Sequence, residues 1–279
     1  MQPSDSGFIT SGDYRWHFEV FGNGENFMLG FHGFGRNCED FKVLEPALGH
    51  RYKIISFDLI CHGESSHPKA SEESNFDEEG LKIFVLDVCK HFNIDRFSIL
   101  AYSLGGKLGL KIIELFPEKI DRILLFAPDG VKISKLYQFA VKTMIGRAIF
   151  RIFIFVPQPF FAVLWLLKMT KIIRGTLFKF LHFQMESRVR RNHILNAWYF
   201  FRQIEPDLEK FTKEVNERKL SIHAFFGRHD AVIPVKFARR LAEKLDHPEA
   251  VQVVEMGHNL IKPAMNEVLR EILQKEKQS

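Results

Sequence analysis

Short apolar runs alternate with segments of helical periodicity along most of this 279-residue chain. Six runs predict buried strands, because each is too short for a helix and is bounded by turn residues: 27–31, 52–57, 97–101, 123–126, 220–226 and 251–255. Residues 8–21 predict a β-hairpin, since they alternate around a Ser11-Gly12-Asp13 turn. Helices are predicted at 76–91, 104–116, 207–218, 235–245 and 262–275. This order predicts an α/β fold whose mostly parallel sheet of about eight strands is flanked by helices.

Residues 130–206 differ in composition from the rest of the chain. Between Gly130 and Ile204 there are 13 Lys and Arg residues against one acidic residue, Glu186, and 11 of the 29 phenylalanines. Residues 160–167 are apolar all round, and Lys168, Lys171, Lys179 and His182 then recur at helical spacing as a basic amphipathic helix. We therefore predict a core at 1–129 and 207–279, with a hydrophobic and basic helical cap inserted at 130–206.

Two roles stay open for the predicted cap. Its apolar helices can pack on one another as a soluble lid, or the basic stripe can make peripheral contact with an anionic membrane. No nucleic-acid motif accompanies the basic residues, so a nucleic-acid partner is not expected. The sequence does not indicate an oligomeric state.

The cysteines and the N-terminus bear on the compartment. Cys38, Cys61 and Cys89 have neither an even number nor a metal-type spacing, which predicts reduced thiols rather than disulfides or zinc ligands. The first residues lack the basic and apolar regions of a secretion signal, and no stretch of some 18 apolar residues is uninterrupted. We expect a cytoplasmic protein that is soluble or peripheral to the membrane.

The segment Phe97–Gly106, Phe-Ser-Ile-Leu-Ala-Tyr-Ser-Leu-Gly-Gly, carries the strongest candidate chemistry. An apolar strand runs directly into a helix, so Ser103 must lie on a very sharp turn. The pattern is that of a nucleophile elbow, G-x-S-x-G, with Ala101 in place of the first glycine. We expect residues 101 and 105 to face each other across the turn and to be small for that reason.

Four further motifs follow predicted strands. His32-Gly33-Phe34-Gly35 predicts a loop that presents backbone N–H groups, and Asp58 begins Asp-Leu-Ile-Cys-His-Gly-Glu-Ser, where it can anchor a turn through backbone hydrogen bonds. Asp230 lies in Gly-Arg-His-Asp-Ala-Val-Ile-Pro, and His258 follows the last strand in Met-Gly-His-Asn. Serine, aspartate and histidine thus occur in this order at strand ends, which meet at one edge of a parallel sheet.

These motifs resemble those of the α/β-hydrolase superfamily, in particular its capped serine hydrolases, over about residues 14–129 and 207–275. The resemblance implies Ser103 as nucleophile, His258 as general base and then acid, and Asp230 as the orienting carboxylate. It also implies an oxyanion hole of the Phe34 and Leu104 backbone N–H groups, and no metal or cofactor. Ala101 and Ile60-Cys61 depart from the usual pattern.

The resemblance leaves some alternatives open. Asp129 is a second candidate for the acid, because some members place it after the strand that follows the nucleophile. The favoured activity is hydrolysis of a hydrophobic or lipid-like small-molecule acyl ester through an acyl-enzyme, with the substrate-binding residues unknown. One alternative is C–C bond hydrolysis, for which Arg188, Arg190 and Arg191 would hold a substrate carboxylate. Another is a ligand-binding protein of the same fold with little turnover.

Overall fold

The computed structural model describes residues 5–68 and 76–275. In this part of the chain eight strands form one sheet in the order β1-β2-β4-β3-β5-β6-β7-β8. The strands are β1 Ser6–Ser11, β2 Tyr14–Phe21, β3 Asn26–Phe31, β4 Tyr52–Phe57, β5 Phe97–Tyr102, β6 Ile120–Phe126, β7 Ser221–Gly227 and β8 Val251–Val254. The β1–β2 and β2–β4 pairs are antiparallel, and all other pairs are parallel. The predicted fold class is confirmed.

Helices connect the strands, as their apolar periodicity predicts. They are α1 Glu45–Leu48, α2 Glu78–Phe92, α3 Leu104–Leu115, α4 Lys135–Lys142, α5 Met144–Phe155, α6 Gln158–Met169, α7 Gly175–Glu186, α8 Arg188–Phe200, α9 Leu208–Glu217, α10 Lys236–Ala242 and α11 Met265–Lys275. Every residue of the central strand β5 is buried, which accounts for its continuous apolar run. The strand therefore lies in the core and delivers its C-terminal end to the site described below.

The chain divides into two compact units. The first comprises Met1–Pro68, Glu78–Lys132 and Ile204–Ser279, and it holds the sheet with α1–α3 and α9–α11. The second comprises Ile133–Gln203 with Lys69–Asp77, of which residues 76–77 are described, and it holds α4–α8. The assignment of a core and a cap with bounds at 130 and 206 stays a prediction.

The second unit has an aromatic core of its own. Phe76 stacks on Phe200 with ring centroids 5.0 Å apart, and Phe150 stacks on Trp198 at 5.1 Å. Arg191 is buried and donates from Nε to the Ile154 carbonyl at 2.6 Å and from a terminal nitrogen to the Met185 carbonyl at 2.8 Å. One guanidinium thus satisfies carbonyls near the ends of α5 and α7, which those helices cannot pair internally.

The prediction of one basic helix that continues past Lys168 through His182 is wrong. Helix α6 ends at Met169, and α7 begins at Gly175. Lys171 takes a left-handed conformation with φ of 57°, and the Thr170 hydroxyl donates to the Leu166 carbonyl at 2.9 Å. Helices often end where a threonine hydroxyl competes for their carbonyls. They also end where a left-handed residue follows the last turn.

The length and composition of the helices indicate whether one of them could cross a bilayer. Within residues 5–68 and 76–275, no single helix has both the length and the apolar character needed to cross a membrane. Helices α5 and α6 meet the requirement only as a pair, and the chain bends by 96° between them.

Asp58 anchors the turn after β4, as its motif predicts. Its Oδ1 accepts the Cys38 backbone N–H at 2.7 Å, and Oδ2 accepts that of Glu64 at 2.8 Å and lies 2.8 Å from His17 Nδ1. Burial alone would raise the pKa of Asp58, but these hydrogen bonds outweigh it and lower the pKa below its ordinary value. The carboxylate is therefore ionised and holds three separate segments together.

Candidate active site

Ser103 lies between the end of β5 and the start of α3, in a backbone conformation that L-residues rarely adopt. Its φ is 49° and its ψ is −114°. The Ser103 N–H donates to the Phe126 carbonyl at 3.0 Å, and its own carbonyl accepts the N–H groups of Gly106 at 2.8 Å and Asp129 at 2.9 Å. Strained residues persist where several contacts hold them, so the elbow is maintained by β6 and by the loop after it.

Two glycines make room for this turn, but Gly105 does not face Ala101 as had been expected. A Cβ on Gly105 would lie 1.9 Å from the Phe31 carbonyl oxygen, so this glycine is needed for the approach of α3 to β3 rather than to residue 101. The Ala101 methyl instead faces Gly109, where a Cβ would lie 2.9 Å from it. Gly109 therefore leaves the space that the alanine in the elbow fills.

Gly105→Ala is expected to destabilise the protein by about 2 kcal/mol or more, because a methyl cannot fit against backbone atoms of β3 without moving a strand. Urea unfolding followed by circular dichroism measures the change. Gly175→Ala is the matched control, since a Cβ there meets nothing within 4 Å, and its midpoint should stay close to that of the parent protein. Equal midpoints for the two variants would contradict this account of the elbow.

Ser103, His258 and Asp230 form one hydrogen-bonded chain, although 155 residues separate the serine from the histidine. The Ser103 Oγ lies 2.9 Å from His258 Nε2, and His258 Nδ1 lies 2.7 Å from Asp230 Oδ2. The Asp230 side chain is fully buried, whereas 21% of the His258 side chain is exposed. This arrangement lets the imidazole accept a proton from the serine while the carboxylate stabilises the resulting imidazolium.

Asp230 is held rigidly before it meets the histidine. Its Oδ1 accepts the backbone N–H groups of Val232 at 2.7 Å and Ile233 at 2.8 Å, which leaves Oδ2 for the imidazole. The loops that carry the two residues are also joined, since the His229 N–H donates to the Met256 carbonyl at 2.9 Å. The turn after β7 and the loop after β8 thus form one support.

Asp129, the alternative acid, lies beside the elbow but has other partners. Its backbone N–H donates to the Ser103 carbonyl at 2.9 Å, and its Oδ1 accepts the N–H of Gly130 at 2.8 Å. Burial raises the pKa of Asp129, and nearby Lys107 and His258 oppose that rise. It is Asp230, and not Asp129, whose carboxylate is hydrogen-bonded to His258 Nδ1.

The predicted oxyanion residues lie beside the serine. A Cβ on Gly33 would be 3.3 Å from the Ser103 Cβ, so the Gly33–Phe34 peptide runs next to Ser103. Leu104 is the first residue of α3, and an N–H in that position has no acceptor within its own helix. Both residues therefore border Ser103, and their N–H groups as an oxyanion hole stay a prediction.

Sequence reasoning missed the part that His32 plays. Its Nε2 accepts the Leu59 N–H at 3.0 Å, so Nδ1 carries the proton and donates to the Gly33 carbonyl at 2.7 Å. In a trans peptide the C=O and N–H point in opposite directions, and the Phe34 N–H is therefore turned away from His32. The sequence did carry one signal for this role, because a histidine begins the His32–Gly35 motif.

Tyr102 is a second residue that the motif did not single out. Its hydroxyl donates to the His258 carbonyl at 3.2 Å, and the two rings lie 5.5 Å apart. Burial raises the pKa of Tyr102, which keeps the phenol protonated and able to donate. The residue that precedes Ser103 thus also binds the main chain of His258.

The arginines proposed to grip a substrate carboxylate have other contacts. Arg191 is buried in the second unit, as described above, and Arg190 donates to the Phe183 carbonyl at 3.1 Å and to Glu186 at 3.2 Å. The Arg190 guanidinium also lies 3.7 Å from the centre of the Phe183 ring. Arg188 is exposed. Arg190 and Arg191 therefore have structural partners.

One buried cluster has the ligand types of a metal site. His17, Cys38 and Asp58 place one ligand atom each within 4.8 Å of one another. Burial, followed by the charge of Asp58, raises the pKa of the Cys38 thiol, and both Asp58 oxygens already accept backbone N–H groups. A protonated thiol and an occupied carboxylate fit a hydrogen-bonded network better than a metal centre.

Comparison with protein families agrees with this fold. Residues 26–148 match the family model described as the alpha/beta hydrolase fold. An uncharacterised protein of Mycobacterium tuberculosis is 30% identical over 131 residues, which cover 47% of this chain and 37% of that protein. The chain thus spans well under half of the length of the first curated relatives that it matches.

Two solved structures are similar along nearly the whole chain. A thermophilic esterase from Thermogutta terrifontis has a TM-score of 0.66 at 16% identity, over 98% of this chain and 99% of that one. A 2-hydroxy-6-oxo-6-phenylhexa-2,4-dienoate hydrolase from Rhodococcus has a TM-score of 0.61 at 17% identity, over 98% of both chains. At these identities the likeness shows the fold, which is that of an eight-stranded α/β hydrolase. The family match over residues 26–148 agrees with that fold.

Proposed function

We propose that the protein is a serine hydrolase of a carboxylic ester or related acyl compound that is hydrophobic or lipid-like. The observation that carries the proposal is the relay in which Ser103 Oγ lies 2.9 Å from His258 Nε2 and His258 Nδ1 lies 2.7 Å from Asp230. A serine hydroxyl is a weak nucleophile until such a base removes its proton. The relay supplies that base, and it supports Ser103, His258 and Asp230 as the catalytic residues.

The reaction proceeds in two steps on this arrangement. Ser103 Oγ attacks the acyl carbon while its proton passes to His258 Nε2, and the carbonyl oxygen becomes an oxyanion that accepts the Phe34 and Leu104 N–H groups. The ester C–O bond then breaks, and His258 returns the proton to the departing alcohol. Water attacks the acyl-enzyme with His258 again as base, which releases the carboxylic acid and restores Ser103. No redox step or cofactor enters this sequence of bonds.

The apolar character of the substrate follows from the surroundings of the relay and not from a resolved ligand. Phe34, whose peptide bond follows the Gly33 that borders Ser103, is partly exposed, so its ring is available to contact an acyl group. An acyl group that leaves water gains free energy in proportion to the apolar area it buries. A hydrophobic acyl substrate is therefore favoured over a small polar one.

A fluorophosphonate probe should label Ser103, and p-nitrophenyl esters should be hydrolysed with a kcat/KM that rises from acetate toward longer acyl chains. Peptide mapping after labelling identifies the modified residue, and initial rates across the ester series measure the chain-length preference. Heat-unfolded protein is the control, since labelling that needs the relay disappears with the fold. Labelling of another residue, or no turnover of any ester, would refute the proposal and favour a ligand-binding protein.

C–C bond hydrolysis remains the weaker alternative. It shares the serine relay, but the arginines that it would use for a substrate carboxylate include Arg190 and Arg191, which bind main-chain carbonyls of the second unit. The Rhodococcus enzyme supports the alternative through its fold only. The observations on these two arginines therefore favour the ester hydrolase.

A further inference from the structure

Apolar side chains are exposed over an unusually large part of the second compact unit. Of the nineteen large hydrophobic residues that are exposed in the described chain, fifteen lie between Leu136 and Val189. Monomeric soluble proteins seldom expose many apolar residues close together, and such a surface marks contact with another apolar phase. Some constraint other than folding must therefore maintain these residues.

Most of the exposed residues belong to α5, α6 and the turns next to them, and we call this set the apolar surface. It comprises Met144, Ile145, Ile149, Ile152, Phe155, Val156, Val163, Trp165, Leu166, Met169 and Ile172. Helix α5 buries Phe150 and Ile154 on its other face, and α6 buries Leu164. Both helices thus have an inward apolar face and a second, outward one, which a soluble lid does not require.

Exposed lysine and arginine residues lie next to the apolar surface in the chain. Between residues 130 and 204 the chain has 13 Lys and Arg residues and one acidic residue, Glu186, whose carboxylate lies 3.2 Å from Arg190. Lys168, Lys171 and Arg174 are exposed at the end of α6 and in the turn that follows it. An occupant of this surface must therefore be apolar and negatively charged at its boundary.

Charge also distinguishes between two candidate occupants of the apolar surface, a second copy of the chain and an anionic bilayer. A second copy of the chain would bring the same positive residues against each other, which opposes self-association through this surface. An anionic bilayer offers hydrocarbon to the apolar side chains and negative headgroups to the lysines and arginines. The lipid surface is the occupant that satisfies both requirements.

The length and bend of the two helices decide how they would meet a bilayer. Helices α5 and α6 have twelve residues each, or roughly 18 Å, which is well short of a hydrocarbon core of about 30 Å. Since the chain turns by 96° between them, they cannot form one straight span. Their geometry suits helices that lie in the interface.

We propose that the apolar surface docks this protein on an anionic phospholipid membrane, with α5 and α6 in the interface and the neighbouring basic residues against the headgroups. This goes beyond the proposed hydrolase activity and does not depend on it. If both hold, the enzyme would meet a lipid-like ester in the phase where that ester is dissolved.

Trp165 offers a direct probe of docking, because it lies on α6 and is 58% exposed, whereas Trp16 is fully buried and Trp198 is half-buried. With vesicles of phosphatidylglycerol and phosphatidylcholine at low salt, its emission should shift to the blue and be quenched by brominated acyl chains. Trp165→Phe should abolish the shift. High salt should reverse it, because the headgroup attraction is screened.

Two sets of variants measure separately what the basic residues and the apolar residues contribute to vesicle binding. Lys168, Lys171 and Lys179 changed together to Glu should lower the vesicle partition coefficient by roughly two orders of magnitude or more. The control reverses three exposed charges of the first unit, Lys213, Lys236 and Arg240, and should leave partitioning nearly unchanged. Ile152→Gln with Leu166→Gln should abolish quenching, and Ile83→Gln with Leu86→Gln on α2 is its control.

The test does not rely on catalysis. Ser103→Ala should bind vesicles like the parent protein, and the lysine variant should keep its activity on a small soluble ester, so failure of docking and failure of the hydrolase activity give different results. Equal binding to neutral and anionic vesicles, or binding to neither, would overturn the proposal. So would an oligomer in sedimentation velocity that the Ile152→Gln and Leu166→Gln changes dissociate.

Discussion

Ser103→Ala lowers kcat for ester hydrolysis by roughly a millionfold, the size of loss seen when a serine nucleophile is removed from an intact relay. The physical reason is that, in the proposed mechanism, the Oγ 2.9 Å from His258 Nε2 bonds to the acyl carbon, and alanine has no atom there. The fold should persist, since the elbow is held by backbone hydrogen bonds of residue 103 and not by its hydroxyl. Initial rates with a p-nitrophenyl ester and a urea unfolding curve measure the two quantities.

The matched control for this variant is Ser98→Ala on the same strand. The Ser98 hydroxyl is buried and has no hydrogen-bond partner in the described chain, so its removal should change neither rate nor labelling. If Ser103→Ala kept turnover near the parent level while Ser98→Ala lost it, the nucleophile assignment would be wrong. If neither variant nor the parent turned over any ester, the ligand-binding alternative would gain support.

Asp230→Asn should lower turnover by about ten-thousandfold through the wrong tautomer of His258. In the structure Oδ1 accepts two backbone N–H groups, from Val232 and Ile233, so the amide oxygen of an asparagine must take that position. Its NH₂ group would then face His258 Nδ1, which must become an acceptor, and the proton moves to Nε2. A protonated Nε2 cannot accept the proton of Ser103.

Asp129→Asn is the comparison that separates the two acids. Its side chain accepts the Gly130 N–H, and an amide oxygen can do the same, so we expect a loss of about tenfold or less. Parallel pH–rate profiles and unfolding curves distinguish a change at the imidazole from a loss of folded protein. The opposite ranking of the two variants in kcat would transfer the orienting role to Asp129.

The strand ends explain why so much of the site could be predicted. A parallel sheet brings the C-terminal ends of its strands to one edge, and Ser103, Asp230 and His258 each follow a strand that an apolar run reveals. The elbow is equally local, because a strand joined to a helix without a loop leaves one conformation for the residue between them. These features depend on neighbours in the chain and are therefore visible in the sequence.

Other features of the site depend on residues far apart in the chain. Gly105 is required by the Phe31 carbonyl on another strand, and Ala101 is accommodated by Gly109. His32 was not singled out, because its effect on the Phe34 peptide needs both the Leu59 N–H and the Gly33 carbonyl. Such contacts follow from packing and leave no periodic signal.

The sequence by itself determined the α/β class, the order of strands and helices, the strand-end positions of the serine, aspartate and histidine, and the basic, phenylalanine-rich composition of residues 130–204. Local propensity and composition are enough for these. Only the tertiary structure decided that Asp230 rather than Asp129 reaches His258 Nδ1, that α6 ends at Met169, and that α5 and α6 expose a second apolar face. Each of these outcomes depends on which distant groups compete for the same space or hydrogen bond, and periodicity along the chain does not contain that information.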